Sequence, residues 1–221
     1  MNNEGFVTYQ FTERSSEELI ARSESFYQEM DKRRSVRHFS TKPIPKAVID
    51  NVIKTASTAP SGAHKQPWTF CVVTNKKLRS ELRLLAEEEE YRSYNGRMSE
   101  EWLRDLEPLG TDHQKPFIEE APYLIVVFKR VFEFENDEKH QNYYVNESVG
   151  IAVGFLLAAI HHAGLAALTH TPSPMNFLAE ALERPKNERP YLVIPVGYPA
   201  DGAVVPKLSR KSLETVCRYY D

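Results

Sequence analysis

A chain of 221 residues, 41% hydrophobic and 27% charged, has enough apolar material for a real core and is too ordinary in composition for a disordered or fibrous protein. Its net charge of −3, with lysine and arginine scattered along the chain, excludes a basic footprint for nucleic acid, so small molecules are the expected ligands. The two cysteines, Cys71 and Cys217, match no zinc spacing and read as free thiols of a reducing compartment.

The opening residues, MNNEGFVTYQFTERSSEELIARSESF, show no basic segment followed by an apolar one, so no secretory signal is read there and a cytoplasmic protein is expected. An amphipathic helical pattern leads into RRSVRHFS. Arg33, Arg34 and Arg37, with Ser35 among them, present fork-shaped cations suited to a phosphate, although the same cluster also reads as a solvated basic turn. Pro45 suits the first turn of a helix, and Val48, Ile49, Val52, Ile53 and Ala56 then fall on one face, with an end before Pro60.

TAPSGAHKQPWTF follows. Pro60, Ser61, Gly62 and Ala63 are either a plain turn or a place where small residues let a flat ligand approach the backbone. Trp68 reads as core. TFCVVT, PYLIVVFK and YLVIPVGYP are β-branched and aromatic runs that read as central strands. Helical patterns cover 77–93, 143–163 and 176–183. The order mixes helices and strands without the strict alternation of a doubly wound parallel sheet.

Glu90 and Tyr94, four residues apart, share a helix face that otherwise reads as solvated acidic surface. The stretch 91–114 is polar, holds Gly96, Trp102 and Gly110, and has the weakest periodicity in the interior, which marks it as flexible or functional. The apolar run 149–160 has 12 residues where a bilayer needs roughly 20, so it reads as a core helix and no membrane partner is expected. In LTHTPSP, Thr169 and Thr171 point one way from an extended segment and His170 the other. Neither His170 nor His161 and His162 have partners at metal-ligand spacing, so no metal is expected. A Ser-His-Asp order, a P-loop and a GxGxxG are all missing, which leaves hydrolase and kinase readings unsupported.

RRSVRHFS, TAPSGAHKQPWTF, APYLIVVF, THTP, VGYP and LSRKS, in that order, resemble the flavin-dependent nitroreductase superfamily, and specifically its iodotyrosine deiodinase branch, over about 27–213. The resemblance implies an α+β fold: a three-layer α/β/α sandwich with a mostly antiparallel central sheet, in an intertwined homodimer, with 1–221 as a single FMN-binding domain. FMN at the subunit interface is implied, with Arg33, Arg34, Ser35 and Arg37 on its phosphate and pyrimidine side and Arg210 adding a phosphate contact. Pro60, Ser61 and Gly62 are implied to line the flavin from the partner subunit. Thr169, His170 and Thr171 are implied beside it, the Thr171 hydroxyl donating toward flavin N5. His170 stands where vertebrate members carry a threonine, and the N-terminal membrane anchor of those members has no counterpart in the sequence.

The branch itself is marked by Glu90, Tyr94 and Lys115, which match the positions that hold the amino-acid end of a halotyrosine. A carboxylate attracts the ammonium, while a lysine and a phenol hydrogen-bond the carboxylate. The Ala63 backbone N–H is implied to take the phenolate oxygen, and 91–114 to act as a mobile lid that excludes water from this grip. The implied reaction is reductive dehalogenation, iodotyrosine to tyrosine plus iodide, by reduced flavin in sequential one-electron steps. NAD(P)H, directly or through a reductase, is the implied electron source. One alternative on the same fold is a general NAD(P)H-dependent nitroreductase or quinone reductase, which lacks the set of Glu90, Tyr94 and Lys115. Another is a non-catalytic flavin- or halotyrosine-binding protein.

Overall fold

The computed structural model describes residues 5–136 and 138–221 and divides into two units, the first ending at Arg33 and the second running from Arg34 to Asp221. In the first unit, helix α1 (Ser16–Asp31) follows an extended segment. The Ser15 hydroxyl caps it by accepting from the Glu18 backbone N–H at 3.2 Å, and Glu17 and Glu18 set negative charge at the positive end of the helix dipole. Leu19, Ile20, Phe26 and Tyr27 are exposed.

The second unit starts with α2 (Lys46–Ser57), where the Pro45 carbonyl accepts from the Val48 N–H at 3.0 Å and Ile49, Val52 and Ala56 are buried at helical spacing. Strand β1 (Trp68–Val73) and helix α3 (Lys76–Arg92) follow, the Asn75 side chain capping α3 on the Leu78 N–H at 3.0 Å. A π-helical turn (Ser93–Arg97), α4 (Glu100–Leu106) and a 3-10 turn (Glu107–Leu109) lead to α5 (Phe117–Glu120). Then come β2 (Tyr123–Arg130), a hairpin of β3 (Phe132–Glu135) and β4 (Glu138–Gln141), α6 (Val145–His162), β5 (Ala166–Ala167), α7 (Asn176–Ala181), β6 (Glu188–Gly197) and α8 (Leu213–Val216).

The main sheet has the order β1-β2-β6-β5 and is antiparallel throughout. Leu124 to Phe128 in β2 are fully buried. Because side chains alternate along a strand, Ile125 and Val127 meet the α2 and α6 layer while Leu124, Val126 and Phe128 meet α3, α5 and α7. Each such side chain stabilises the fold by ~1.5–3 kcal/mol relative to exposure. Three layers result, with the sheet between two helical faces; the three runs read as central strands are β1, β2 and β6, of which β2 and β6 are central while β1 lies at the sheet edge, paired on one side only and with Val72 exposed.

The differences from the sequence reading are local. The helix expected over 143–163 starts two residues later, and that expected over 176–183 stops at Ala181. α3 ends at Arg92, so Tyr94 lies in the π-helical turn and does not share a continuous α-helical face with Glu90. The stretch 91–114 is folded as short helical pieces despite its weak periodicity: Ser99 caps α4 by accepting from the Trp102 N–H at 3.2 Å, and Glu100 and Glu101 fill its first turn. The β3–β4 hairpin has too charged a sequence to read as strands, since neither of its faces enters the core. By length and composition α6 is able to cross a membrane, yet Val149, Ala152, Leu156 and Ile160 belong to the packed layer against α2 and the sheet.

Candidate functional site

Backbone pairing assembles one wall of the site. Ser35 bridges Ala167 in parallel, the Val36 N–H donating to the Ala167 carbonyl at 3.3 Å, so Ser35 and Arg37 run beside the segment that ends in Thr169, His170 and Thr171. His170 and Val193 exchange two backbone hydrogen bonds, both 2.9 Å, which continues the sheet past β5. The opposite wall comes from the last turn of α3 with Glu90, the π-helical turn with Tyr94, and Lys115 just before α5. Together they border an open cavity of about 370 Å³, lined further by Met98, Trp102, Leu106, Leu109 and Thr111. A π-helical turn adds one residue to a helical ring, and such turns are frequent at functional sites.

The charges in this wall are largely desolvated. Lys115 Nζ lies 3.3 Å from Glu90 Oε2, with side-chain exposures of only 3% and 9%. Nζ also donates to the Thr111 hydroxyl at 3.5 Å and to the Asp112 carbonyl, and it sits 5.6 Å from the centre of the Tyr94 ring. The Tyr94 hydroxyl donates to the Thr111 carbonyl at 3.2 Å. Burial pushes the Glu90 carboxyl above its usual range, with Lys115 opposing, and pushes the Lys115 ammonium below its own, with Glu90 opposing. Burial likewise raises the Tyr94 phenol and lowers the Arg37 guanidinium. The His170 ring packs edge-on against Phe117 at 5.4 Å; burial, and then the positive charges of Lys115 and Arg37, push it down to about 3, so it stays neutral. A buried pair of opposite charges beside a phenol is a net-neutral clamp, chemically matched to a zwitterion.

Of the residues predicted from sequence, the cavity unites Ser35, Arg37, Glu90, Tyr94, Lys115, Thr169, His170 and Thr171. All three of the last group border it, whereas strict alternation sends His170 away from the threonines. The others lie elsewhere. Arg33 belongs to the first unit, Arg34 donates to the Pro206 carbonyl, and Arg210 is on the exposed C-terminal segment. Pro60, Ser61, Gly62 and Ala63 form a tight loop before β1. There the Ser61 hydroxyl accepts from the Gln66 N–H at 2.9 Å and the Gly62 N–H donates to Ser148 at 3.2 Å. A Cβ at position 62 would sit 2.9 Å from the Tyr143 carbonyl oxygen, so only glycine fits without a backbone shift. Ala63, His64 and Gln66 are held at positive φ (48°, 55° and 46°), a conformation that costs a non-glycine residue on the order of 1 kcal/mol.

The sequence reading named 91–114 as a lid but did not single out Met98, Trp102, Leu106, Leu109 and Thr111 as cavity wall. The spacing of Trp102, Leu106 and Leu109 behind the Ser99 cap is the signal that identifies them. A larger cleft, about 610 Å³, borders Thr41, Ile44, Lys76, Arg79, Glu119 and Tyr123 but holds none of the predicted site residues. Its buried Arg79 is already engaged with backbone carbonyls, including that of Ile118 at 2.9 Å.

The residues of the smaller cavity fit a flavin. Among the described residues, the buried His170 Nε2 has no hydrogen-bond partner, and Arg37 with the hydroxyls of Ser35, Thr169 and Thr171 supplies cationic and neutral donors to the same space.

The model of the nitroreductase family matches residues 30–198. Iodotyrosine deiodinase of Haliscomenobacter hydrossis is 59% identical over 216 residues, covering 97% of this chain and 97% of its own. That of Hydra vulgaris is 46% identical over 220 residues, covering 99% and 81%. The crystal structure of oxidized iodotyrosine deiodinase bound to FMN and 3-iodo-L-tyrosine matches with a TM-score of 0.74 at 32% identity, covering 89% of this chain and 99% of that one.

Proposed function

We infer that this chain, which belongs to the nitroreductase family, uses FMN to remove halogen reductively from halotyrosines, converting iodotyrosine to tyrosine and iodide. The observation that carries the reading is the buried Glu90–Lys115 pair with Tyr94, in the same cavity as Ser35, Arg37 and Thr171. A general nitroreductase or quinone reductase gains nothing from a dry clamp built for an amino acid.

On binding, the clamp exchanges one internal ion pair for two external ones: Glu90 accepts from the substrate ammonium while Lys115 and Tyr94 donate to its carboxylate. No net charge is left buried, which keeps the desolvation cost low. Residues 91–114 act as the lid, with Trp102, Leu106 and Leu109 keeping water from bonds that contribute only ~0–1 kcal/mol when exposed. The Ala63 backbone N–H, on the same loop as Pro60, Ser61 and Gly62 and so brought in with them in the dimer, holds the phenolate oxygen of the substrate; a halogen lowers the phenol pKa below the ~10 of tyrosine, so the phenolate is accessible near neutral pH.

Bound and reduced, FMN supplies one at a time the two electrons that, with one proton, replace the carbon–halogen bond by carbon–hydrogen and release halide. Thr171 would donate its hydroxyl to flavin N5. Arg33, Arg34, Ser35 and Arg37 would hold the phosphate and pyrimidine side, Arg210 the phosphate, and Thr169 and His170 the ring. The partner subunit's Pro60, Ser61 and Gly62 complete the cavity in a homodimer. Exposed apolar residues supply surface for that dimer, among them Ile151 and Phe155 on α6 and Leu208, Leu213 and Val216 near the C-terminus. NAD(P)H, directly or through a reductase, recharges the flavin, and the enzyme works in the cytoplasm with α6 as a core helix.

The test is single-turnover reaction of the anaerobically reduced holoenzyme with 3-iodotyrosine. Flavin reoxidation stoichiometric with tyrosine and iodide is the expected result. Flavin that stays reduced with iodotyrosine yet is oxidised by a nitroaromatic overturns the reading.

A further inference from the structure

The proposed grip asks Lys115 to do two things: pair with Glu90 when no substrate is bound, then offer the same Nζ to a carboxylate. Its side-chain contacts, to Glu90, the Tyr94 ring, Thr111 and Asp112, are of that changeable kind. What fixes its position must therefore act on the backbone. The following helix, α5, spans four residues and is too short to orient itself.

The fixing comes from α3. Glu87 Oε1 accepts from the Lys115 backbone N–H at 2.6 Å and from Arg83 Nε at 2.8 Å. Arg83 Nη1 in turn donates to Glu119 Oε2 at 2.8 Å, and the Arg79 guanidinium donates to the carbonyl of Ile118 at 2.9 Å. Arg79, Arg83 and Glu87 follow one another at four-residue spacing, so one stripe of α3 holds the start and the end of α5. Glu90 stands one turn beyond Glu87 on the same helix. α3 thus holds Lys115 at both ends, by its amide through Glu87 and by its ammonium through Glu90, and only the second contact must open for substrate.

We propose that Glu87 is a positioning residue that sets Lys115 for the amino-acid end of the substrate, and so determines preference for halotyrosines over halophenols. The inference rests on the halotyrosine reading above. A carboxylate bonded to a backbone N–H is a charge-assisted contact, stronger than a neutral one, and Arg83 keeps that carboxylate aimed. Without it, Lys115 retains its charge but loses its fixed place, and the cost falls on binding rather than on the electron-transfer step.

The experiment compares holoenzyme of the wild type, Glu87→Ala and Glu87→Gln on 3-iodotyrosine and on 2-iodophenol, with iodotyrosine affinity also read from quenching of oxidised-flavin fluorescence. Glu87→Ala is expected to raise Kd and KM for iodotyrosine ~10- to 100-fold while kcat and the 2-iodophenol kcat/KM stay within about twofold. Glu87→Gln, whose amide oxygen still accepts from the Lys115 N–H, is expected to restore affinity to within about threefold of wild type. If Glu87→Ala fails to fold, Glu87→Asp, one methylene shorter, is expected to give the same split. Equal losses on both substrates, unchanged iodotyrosine affinity, or a Gln variant as impaired as the Ala variant overturns the proposal. The wild-type arm separates the two inferences: no dehalogenation of iodotyrosine by wild type overturns the halotyrosine reading, and the role of Glu87 with it.

Discussion

The two faces of the central sheet are built from different chemistry. Against α2 and α6 the packed residues are aliphatic and aromatic, with Ile49, Val52, Leu156 and Ile160 almost completely buried. Against α3, α5 and α7 the packing is also apolar, but Arg79, Glu90 and Lys115 are buried at its margin. The first face can be judged mainly by volume and area, its buried Ser148 being neutral and paired with the Gly62 N–H at 3.2 Å. The second holds charges whose desolvation is tolerated only because each has a partner, and that arrangement leaves groups ready to exchange partners for a ligand.

The strongest way to break this contrast is to carve the apolar face. Leu156→Ala removes a fully buried side chain and should destabilise the protein by about 2–5 kcal/mol in urea unfolding, with iodotyrosine affinity of the folded fraction unchanged. On the other face, Glu90→Gln should weaken iodotyrosine binding by at least about tenfold, ~1.4 kcal/mol, and spare halophenols, as titration of both ligands would show. Equal loss for both ligands would remove the clamp from the argument.

Acid should discriminate between the faces as well. His170 is depressed to about 3 from an ordinary 6.5, so the unfolded chain takes up its proton first. Its contribution is present above pH 6.5 and is lost as pH falls toward 3, at no more than ~1.4 kcal/mol per pH unit. Burial, and after it Lys115 and Arg37, holds the ring neutral, while Glu90, raised by burial, acts in the opposite direction, so the quantity to measure is the difference between the protein and His170→Thr. A flatter stability profile below pH 6.5 in the variant is expected; identical profiles would mean the ring titrates freely. The smallest effect belongs to the solvent side of α2. Lys46→Ala removes an exposed pair with Asp50 at 2.7 Å and should cost about 0.3–0.5 kcal/mol at most in the same unfolding assay.

How much of this was legible in the sequence depended on the range of the forces involved. α2 and β2 were readable because burial repeats with the period of the local backbone, at 49, 52 and 56 in one case and across an unbroken apolar run in the other. The β3–β4 hairpin was not, since its pairing is not accompanied by burial. The site motifs were visible one by one, as arginines, a small-residue loop, an acidic helix face and two threonines. The wall made by Trp102, Leu106 and Leu109 was lost in a polar stretch whose cap, Ser99, is a single residue.

The sequence by itself determined the strongly periodic elements, α2, α3, α6 and the strands β1, β2 and β6, and which sides of the helices must be hidden, because those follow from φ/ψ preference and side-chain period over a few residues. Only the tertiary structure decided that Ser35, Glu90, Lys115 and Thr171 border one cavity, that the Glu90–Lys115 pair is dry, and that Glu87 reaches the Lys115 backbone. Those facts rest on contacts between residues far apart in the chain, whose closeness and local dielectric are set by how the layers pack and by nothing in the neighbouring residues.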